Sequence, residues 1–230
     1  MPSRDIFCNS INYDIYRIDT IDSTNTYFKN NYNKYNDKTV LIANHQTNGR
    51  GRFKREWISN DDICFSILFK EKHPNAIISS LAIVLALQDF GIASGIKWPN
   101  DIYLDNKKLS GILIEEIYEK EFVASIVGIG INIDDKPIYN GIGLGRYISV
   151  SKNNVIEAIL YHYNDLLSKT MTELIVLYKK YSIILNMQIK YKGEFYYACD
   201  ITENGYLVIK NKAGVKTISS DEIDIKSALK

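Results

Sequence analysis

Apolar and polar positions recur along this chain with two different periods, and the changes of period mark its parts. The runs IYRI (15–18), TVLIAN (39–44) and ICFSILF (63–69) are short and apolar, which predicts strands. After the first, Asp22 or Ser23 is placed to cap a helix through Thr26, Tyr27 and Phe28. Residues 75–90 are apolar nearly all round, with Pro74 before and Gly91 after, and predict a buried helix. Short strands are expected around GIKW and IYLD. Two long apolar segments, 108–118 and 121–133, then follow, joined tightly enough to pair antiparallel. Beyond a loop holding Gly141, Gly143 and Gly145, two helices are expected, the second opened by a Thr170-x-x-Glu173 capping box. From Met187 onward brief alternating runs separated by KG, ENG and NKAG predict an all-β unit.

The expected fold class is therefore α+β. Residues 1–185 form a larger unit with a central mixed or antiparallel sheet and helices, and 186–230 form a small β unit that cannot easily hold a core alone. Between the second and third strands lies HQTNGRGRFKREWISNDD, too polar and glycine-rich for helix or strand. A loop of that length inside a compact unit is usually functional.

Composition narrows the classes. With 46% hydrophobic and 24% charged residues the 230-residue chain is globular rather than disordered. Its 28 Lys and Arg against 27 Asp and Glu give a net charge of +1, so no global field holds a nucleic acid or an anionic membrane, and any anion site must be local. Cys8, Cys64 and Cys199 are odd in number and widely spaced, without a zinc or disulfide pattern, which points to a reducing cytoplasm. The N-terminal residues lack a signal-peptide pattern, and the most apolar stretch, 77–87, is too short to span a bilayer, so a soluble cytoplasmic protein with no membrane partner is expected.

Three constellations carry candidate chemistry. Gln46, Gly49, Arg50, Gly51 and Arg52, followed by Lys54, Arg55 and Trp57, combine a pliable backbone with guanidiniums that reach phosphate or carboxylate oxygens. This suits a lid over an anion; a solvated basic loop that touches RNA is the other reading. In the second group, Lys97 and Lys108 flank the rigid Trp98-Pro99-Asn100-Asp101 turn, with Gly111 close behind. One ammonium can meet each end of a polyanion, and Asp101 can hold a metal or orient a lysine, although a capped turn around a packed Trp has the same sequence. In the third, Gly128, Gly130 and Asn132 project from one face of a strand and Val127, Ile129 and Ile131 from the other. Missing side chains in a strand mark either a ligand's close approach, a bulge, or another packed element.

These motifs occur in one order: S-T-N at 23–25, Q-x-x-G-R-G-R at 46–52 with R-x-W at 55–57, K-W-P-N-D at 97–101, K-L-S-G-I-L at 108–113, and G-I-G-I-N at 128–132. Together, from about Ile15 onward, the chain resembles the biotin protein ligases. The resemblance implies a catalytic core like that of class II aminoacyl-tRNA synthetases with a small SH3-like C-terminal barrel. It also implies a two-step reaction. Biotin and Mg-ATP form biotinyl-5'-adenylate and pyrophosphate, and the acyl group then passes to a lysine of a biotin carboxyl carrier domain.

Carried over by position, the resemblance puts Ser23, Thr24, Asn25 and Gln46 around the biotin head group. Gly49, Arg50, Gly51 and Arg52 become the loop closing over biotin and adenylate, ordered only when an anion is present. Lys108 stands beside the reacting carboxylate and α-phosphate, with Arg52 as its catalytic companion. Arg55, Trp57, Lys97, Asn100 and Asn132 surround the nucleotide, Asp101 contributes to the magnesium shell, and Gly111, Gly128 and Gly130 give the ligands room. No DNA binding is expected, because the residues ahead of Ser23 cannot hold the winged-helix domain of some relatives, and pairing into a homodimer through central strands is open. Phe53 and Lys54 stand where small or basic residues are usual, and Tyr196, Tyr197, Ser219 and Ser220 replace smaller or glycine residues. Lipoate ligases share the reaction logic and are the nearest alternative; a nonenzymatic RNA-binding module is the more distant one.

Overall fold

The computed structural model describes residues 2–5, 12–59, 61–137, 140–219, 221 and 223–225. Cys8, Ser220 and the last five residues of the 186–230 unit lie outside the described residues.

Eight strands build the main sheet: β1 (Ser3–Asp5), β2 (Asp14–Ile21), β3 (Thr39–Gln46), β4 (Ile63–Phe69), β5 (Gly95–Lys97), β6 (Asp101–Leu104), β7 (Lys107–Tyr118) and β8 (Phe122–Ile131). Their spatial order is β1-β2-β3-β4-β8-β7-β6-β5, with β2 and β3 parallel and the remaining neighbours antiparallel. The sheet is thus mixed, as expected. β1 had no counterpart among the sequence runs.

Alternation along the central strands sends two sets of side chains to two faces. Phe65, Ile67, Ile112, Val127 and Ile129 join the larger core with three helices, α2 (Asn75–Asp89), α3 (Lys152–Leu166) and α4 (Met171–Tyr181). Helix α2 is covered nearly all round, and its Ser79 and Ser80 hydroxyls are satisfied by the carbonyls of Asn75 and Ala76 one turn back. Thr170 and Glu173 form the expected capping box of α4. The opposite face carries α1 (Thr24–Asn31), whose Phe28 packs with Leu41, Leu68 and Ile126. Ser23 caps α1 through its side chain, accepting from Thr26 N.

The second sheet is antiparallel, β12-β11-β10-β9-β13, from β9 (Gln188–Tyr191), β10 (Glu194–Ile201), β11 (Leu207–Asn211), β12 (Gly214–Ile218) and β13 (Asp224–Ile225). Its apolar residues Ile189, Ala198, Ile201, Leu207 and Ile209 belong to the same core cluster as α2 and β8. Trp98 Nε1 donates to Gly205 O at 2.9 Å, and Lys179 meets Asp200 at 2.6 Å. A small sheet that lacks volume for its own core is stabilised by sharing one.

Candidate active site

The site sits on the α1 face of the sheet, where the registers of β4, β8 and β7 align three rows: Cys64–Gly130–Gly111, Ser66–Gly128–Leu113 and Leu68–Ile126–Glu115. The first two rows contain the bare positions read from the sequence. Protein, however, fills part of that space. A Cβ on Gly130 would stand 2.5 Å from the Trp57 ring and one on Gly111 3.2 Å from it, while one on Gly128 would run into the Asn25 amide. Trp57 and Asn25 therefore lie on the glycines, and with them form the wall of a cavity of about 450 Å³.

One end of this cavity is a hydroxyl and amide network. Thr24 N donates to Gln46 Oε1 at 2.9 Å, and Thr24 Oγ1 lies 3.2 Å from the same oxygen. Ser66 Oγ lies 2.6 Å from both Thr24 Oγ1 and Asn25 Oδ1. The amide oxygen can only accept, so the single Ser66 proton goes to Asn25. Cys64 lies beside this network, and burial pushes its thiol pKa up to about 11.

The glycine-arginine segment is a narrow hairpin. Trp57 N donates to Gly49 O, Gly51 N to Arg55 O, and Arg50 bridges Glu56, with a 3-10 turn at Arg52–Lys54. Gly49 is required by this close approach, since a Cβ there would meet the Trp57 carbonyl; it does not line the cavity. Phe53 sits at the tip, 57% exposed, with φ of 55°. Both arginines turn inward. Arg50 Nη2 donates to Glu115 Oε2 at 2.7 Å, and Arg52 Nη1 to Asn100 Oδ1 at 2.7 Å. They are thus engaged by a carboxylate of the sheet and by the amide of the K-W-P-N-D turn.

The opposite end is built by β6 and β7. Leu109 is an extra residue in the β7 register, and this bulge lets Lys108 reach the face occupied by Gly111. The Lys108 stem passes 3.2 Å from where a Gly111 Cβ would be, and its Nζ meets Asp101 Oδ1 at 2.7 Å. Asn132 Nδ2 donates to Lys108 O at 3.1 Å, holding the strand beneath the ammonium. Asn100 Nδ2 donates to Ile112 O, and the Trp98–Pro99 bond between these motifs is cis. Lys97 Nζ lies 3.3 Å from Tyr103 Oη. Behind them Lys136 meets buried Asp62 at 3.2 Å; burial raises the Asp62 pKa, partly countered by the Ile133 N–H and by Lys136.

Apart from Gly49, and from Lys54, whose side chain lies outside the described ones, the candidate residues of the three constellations and of the S-T-N motif border this one cavity: Ser23, Thr24, Asn25, Gln46, Arg50, Gly51, Arg52, Arg55, Trp57, Lys97, Asn100, Asp101, Lys108, Gly111, Gly128, Gly130 and Asn132. Reading the sequence missed Glu56, Lys136 and Asp221, which also line it, and Glu115 behind it. Glu115 had one signal, its period-two relation to Gly111; Lys136 and Asp221 lie in irregular segments and had none. Among the described residues, no three His, Cys, Asp or Glu side chains gather to hold a metal, and no helix is long and apolar enough to cross a membrane.

A sheet-borne cavity with an uncharged polar part and a part lined by Arg52, Arg55, Lys97, Lys108 and Lys136 beside Asp101 has the make-up of an α+β enzyme site with a local excess of positive charge. Comparison with known proteins places it more narrowly. Residues 18–132 match the biotin/lipoate A/B protein ligase family, and the chain belongs to that family. It is 29% identical over 214 residues to the bifunctional ligase/repressor BirA of Bacillus subtilis, covering 81% of this chain and 66% of that one, and 31% identical with the same coverage to the Bacillus spizizenii protein. The chain thus spans just under two thirds of those relatives' length. Among solved structures, the biotin protein ligase of Aquifex aeolicus in complex with biotin and ATP superposes with a TM-score of 0.77 at 25% identity, covering 92% of this chain and 98% of that one. The Leishmania major ligase with biotinyl-5-AMP, at 23% identity, covering 93% of this chain and all of the other, shares the fold at a TM-score of 0.64.

Proposed function

We propose that this chain is a biotin protein ligase, which activates biotin with ATP as biotinyl-5'-adenylate and transfers it to a lysine of a biotin carboxyl carrier domain. The observation that carries the reading is the convergence of five separated motifs on one cavity. The names of the similar solved structures specify biotin, and the polar end around Thr24, Asn25 and Gln46 suits a compact head group that both donates and accepts.

In the first step a biotin carboxylate oxygen attacks the α-phosphorus, and the bond to the bridging oxygen of the β-phosphate breaks, releasing pyrophosphate. Bringing one anion to another needs charge neutralisation and alignment more than proton transfer. Lys108 is aimed along the bare edge of Gly111, and Arg52 is aligned by Asn100; both are positioned for the carboxylate and α-phosphate oxygens. Lys97 and Lys136 extend the positive field toward the leaving group. In the second step the carrier lysine's neutral amine attacks the acyl carbon, AMP leaves with the electrons of the mixed-anhydride bond, and the surplus amine proton passes to solvent, leaving a neutral amide.

The donor set fits magnesium held mainly by phosphate oxygens, with Asp101 the protein carboxylate nearest Lys108. When bound, that ion would offset phosphate charge. We further take residues 1–185 as the catalytic unit and 186–230 as a small unit whose Asp221 and Ile223 close one side of the cavity.

Pyrophosphate release is the direct test. It should require both ATP and biotin, and mass analysis of a carrier domain should show one biotin added. Lipoate replacing biotin in both assays would assign the other branch of the family; no pyrophosphate with either acid would overturn the reading.

A further inference from the structure

Glu115 does not line the cavity, yet its carboxylate holds two cavity elements at once. Its Oε2 accepts from Arg50 Nη2 at 2.7 Å and from Asn25 Nδ2 at 3.1 Å, while Oε1 lies 3.5 Å from Lys29 Nζ. The side chain is 18% exposed, so these contacts are only partly screened by water. One oxygen atom thereby couples the first turn of α1 to the glycine-arginine hairpin, adding to the bond that Asn48 N makes to Asp22 O at the hairpin's base.

Arg50 is left with an asymmetric guanidinium. One donor is committed to Glu115, while Nε is buried and has no hydrogen-bond partner among the described residues. A buried donor on a charged group is costly to leave unmade, and a site keeps one where a ligand brings the acceptor. Because the guanidinium is planar, fixing one edge on Glu115 fixes the direction of the other.

We infer that Glu115 is a positioning residue for the acyl substrate. It neutralises Arg50 and orients its open donor toward an oxygen acceptor on the bound acid, while the Asn25 amide, donating to Glu115 and to Leu113 O, helps to fix the carboxylate in place. Arg50 then acts in recognition rather than as one of the charges that drive adenylation, which is left to Arg52 and Lys108. This inference rests on the ligase reading.

The test compares Glu115→Gln, Glu115→Asp, Arg50→Ala and the Glu115→Gln/Arg50→Ala double variant by steady-state pyrophosphate release, with thermal melting alongside. Glu115→Gln should raise the biotin KM about tenfold, leaving kcat within about threefold and the ATP KM unchanged, the split expected when ground-state and transition-state binding are lost equally. Glu115→Asp keeps the charge but shortens the reach and should lie between. Since Glu115 acts through Arg50, the double variant should be no worse than Arg50→Ala alone. A native biotin KM in a folded Glu115→Gln, or in Glu115→Asp should Gln fail to fold, would overturn the inference. So would fully additive effects in the double variant. Absence of biotin-dependent pyrophosphate release in the wild type would instead sink the ligase reading.

Discussion

Lys108 Nζ and Asp101 Oδ1 stand 2.7 Å apart, although one residue leads β7 and the other opens β6. The pair is made by the Leu109 bulge, which swings Lys108 onto the Gly111 face, and by Asn132, which holds the Lys108 carbonyl. Asp101 thus orients the lysine. A carboxylate that restrains an ammonium without burying it leaves the lysine's other two protons free to meet phosphate.

From this geometry, Lys108→Ala should lower single-turnover adenylation by on the order of 10², the scale of losing one preorganised donor to the transition state. Affinity for biotin alone should change little, because the amide network at the far end is untouched. Rapid-quench measurement of adenylate checks it, and a near-native rate would remove Lys108 from the chemical step.

Gly130 acts through Trp57. Gly130→Ala puts a Cβ 2.5 Å from the indole, so the ring must shift, and overpacking of this kind typically costs about 1–3 kcal/mol. Trp57 and Trp98 are the chain's two tryptophans, and Trp98 is buried with its N–H on Gly205 O. Trp98 also borders the cavity but is held rigidly, so most of the ligand-induced change in tryptophan fluorescence should be lost in Trp57→Phe, and it should shrink in Gly130→Ala. Combining the two should recover ATP affinity relative to Gly130→Ala, since a smaller ring relieves the clash. Equal losses with and without the smaller ring would show that Gly130 acts elsewhere.

Cys64 supplies a pH-dependent probe. Burial favours its neutral thiol, raising the pKa from about 9 to about 11, so at pH 8 only about a thousandth of it is thiolate. A raised folded-state pKa gives stability that is intact below the unfolded value and lost as pH climbs from about 9 through 11. Peptide mapping after iodoacetamide at pH 8 should find Cys64 unmodified until denaturant is added. Rapid alkylation in the native protein would contradict its burial.

The sequence made most of the fold legible because period two and period 3.6 report burial directly. β4, β7, β8 and α2 were readable as long apolar runs, and α4 from its capping box. β1 is three residues with too short a pattern to register. That these positions would gather around one cavity was legible as well, since glycines, lysines and arginines in a spaced order carry information that no single residue does. Partnership was legible only in part. That Arg50 meets Glu115, 65 positions on, and Arg52 meets Asn100, 48 positions on, had no local signal, whereas Lys108 and Asp101 are seven apart and the capacity of Asp101 to orient a lysine was readable, though not the bulge that brings the two together. The glycine face illustrates the same limit: its bareness was readable, while the ring and amide that cover it come from distant segments.

Arg52 bears the last prediction. It donates to Asn100 at 2.7 Å and lies 4.8 Å from the Phe53 ring centroid, so the hairpin is fastened to the K-W-P-N-D turn on one side and shielded on the other. A mixed anhydride must survive until a carrier lysine arrives, and a fastened hairpin slows its escape. Arg52→Gly removes the fastening and a charge-assisted contact worth about 1.5–3 kcal/mol, equivalent to about one to two orders of magnitude in adenylate off-rate. Asn100→Ala keeps the guanidinium but loses its alignment and should fall between the two. Freed adenylate acylates any exposed amine, so Arg52→Gly should label an unrelated lysine-rich protein more strongly, per adenylate formed, while labelling the carrier domain less. Wild type and both variants, incubated with ATP, biotin and the bystander protein, should rank by off-rate and by bystander labelling in the same order. Equal normalised labelling together with equal off-rates would mean that the hairpin does not retain the intermediate.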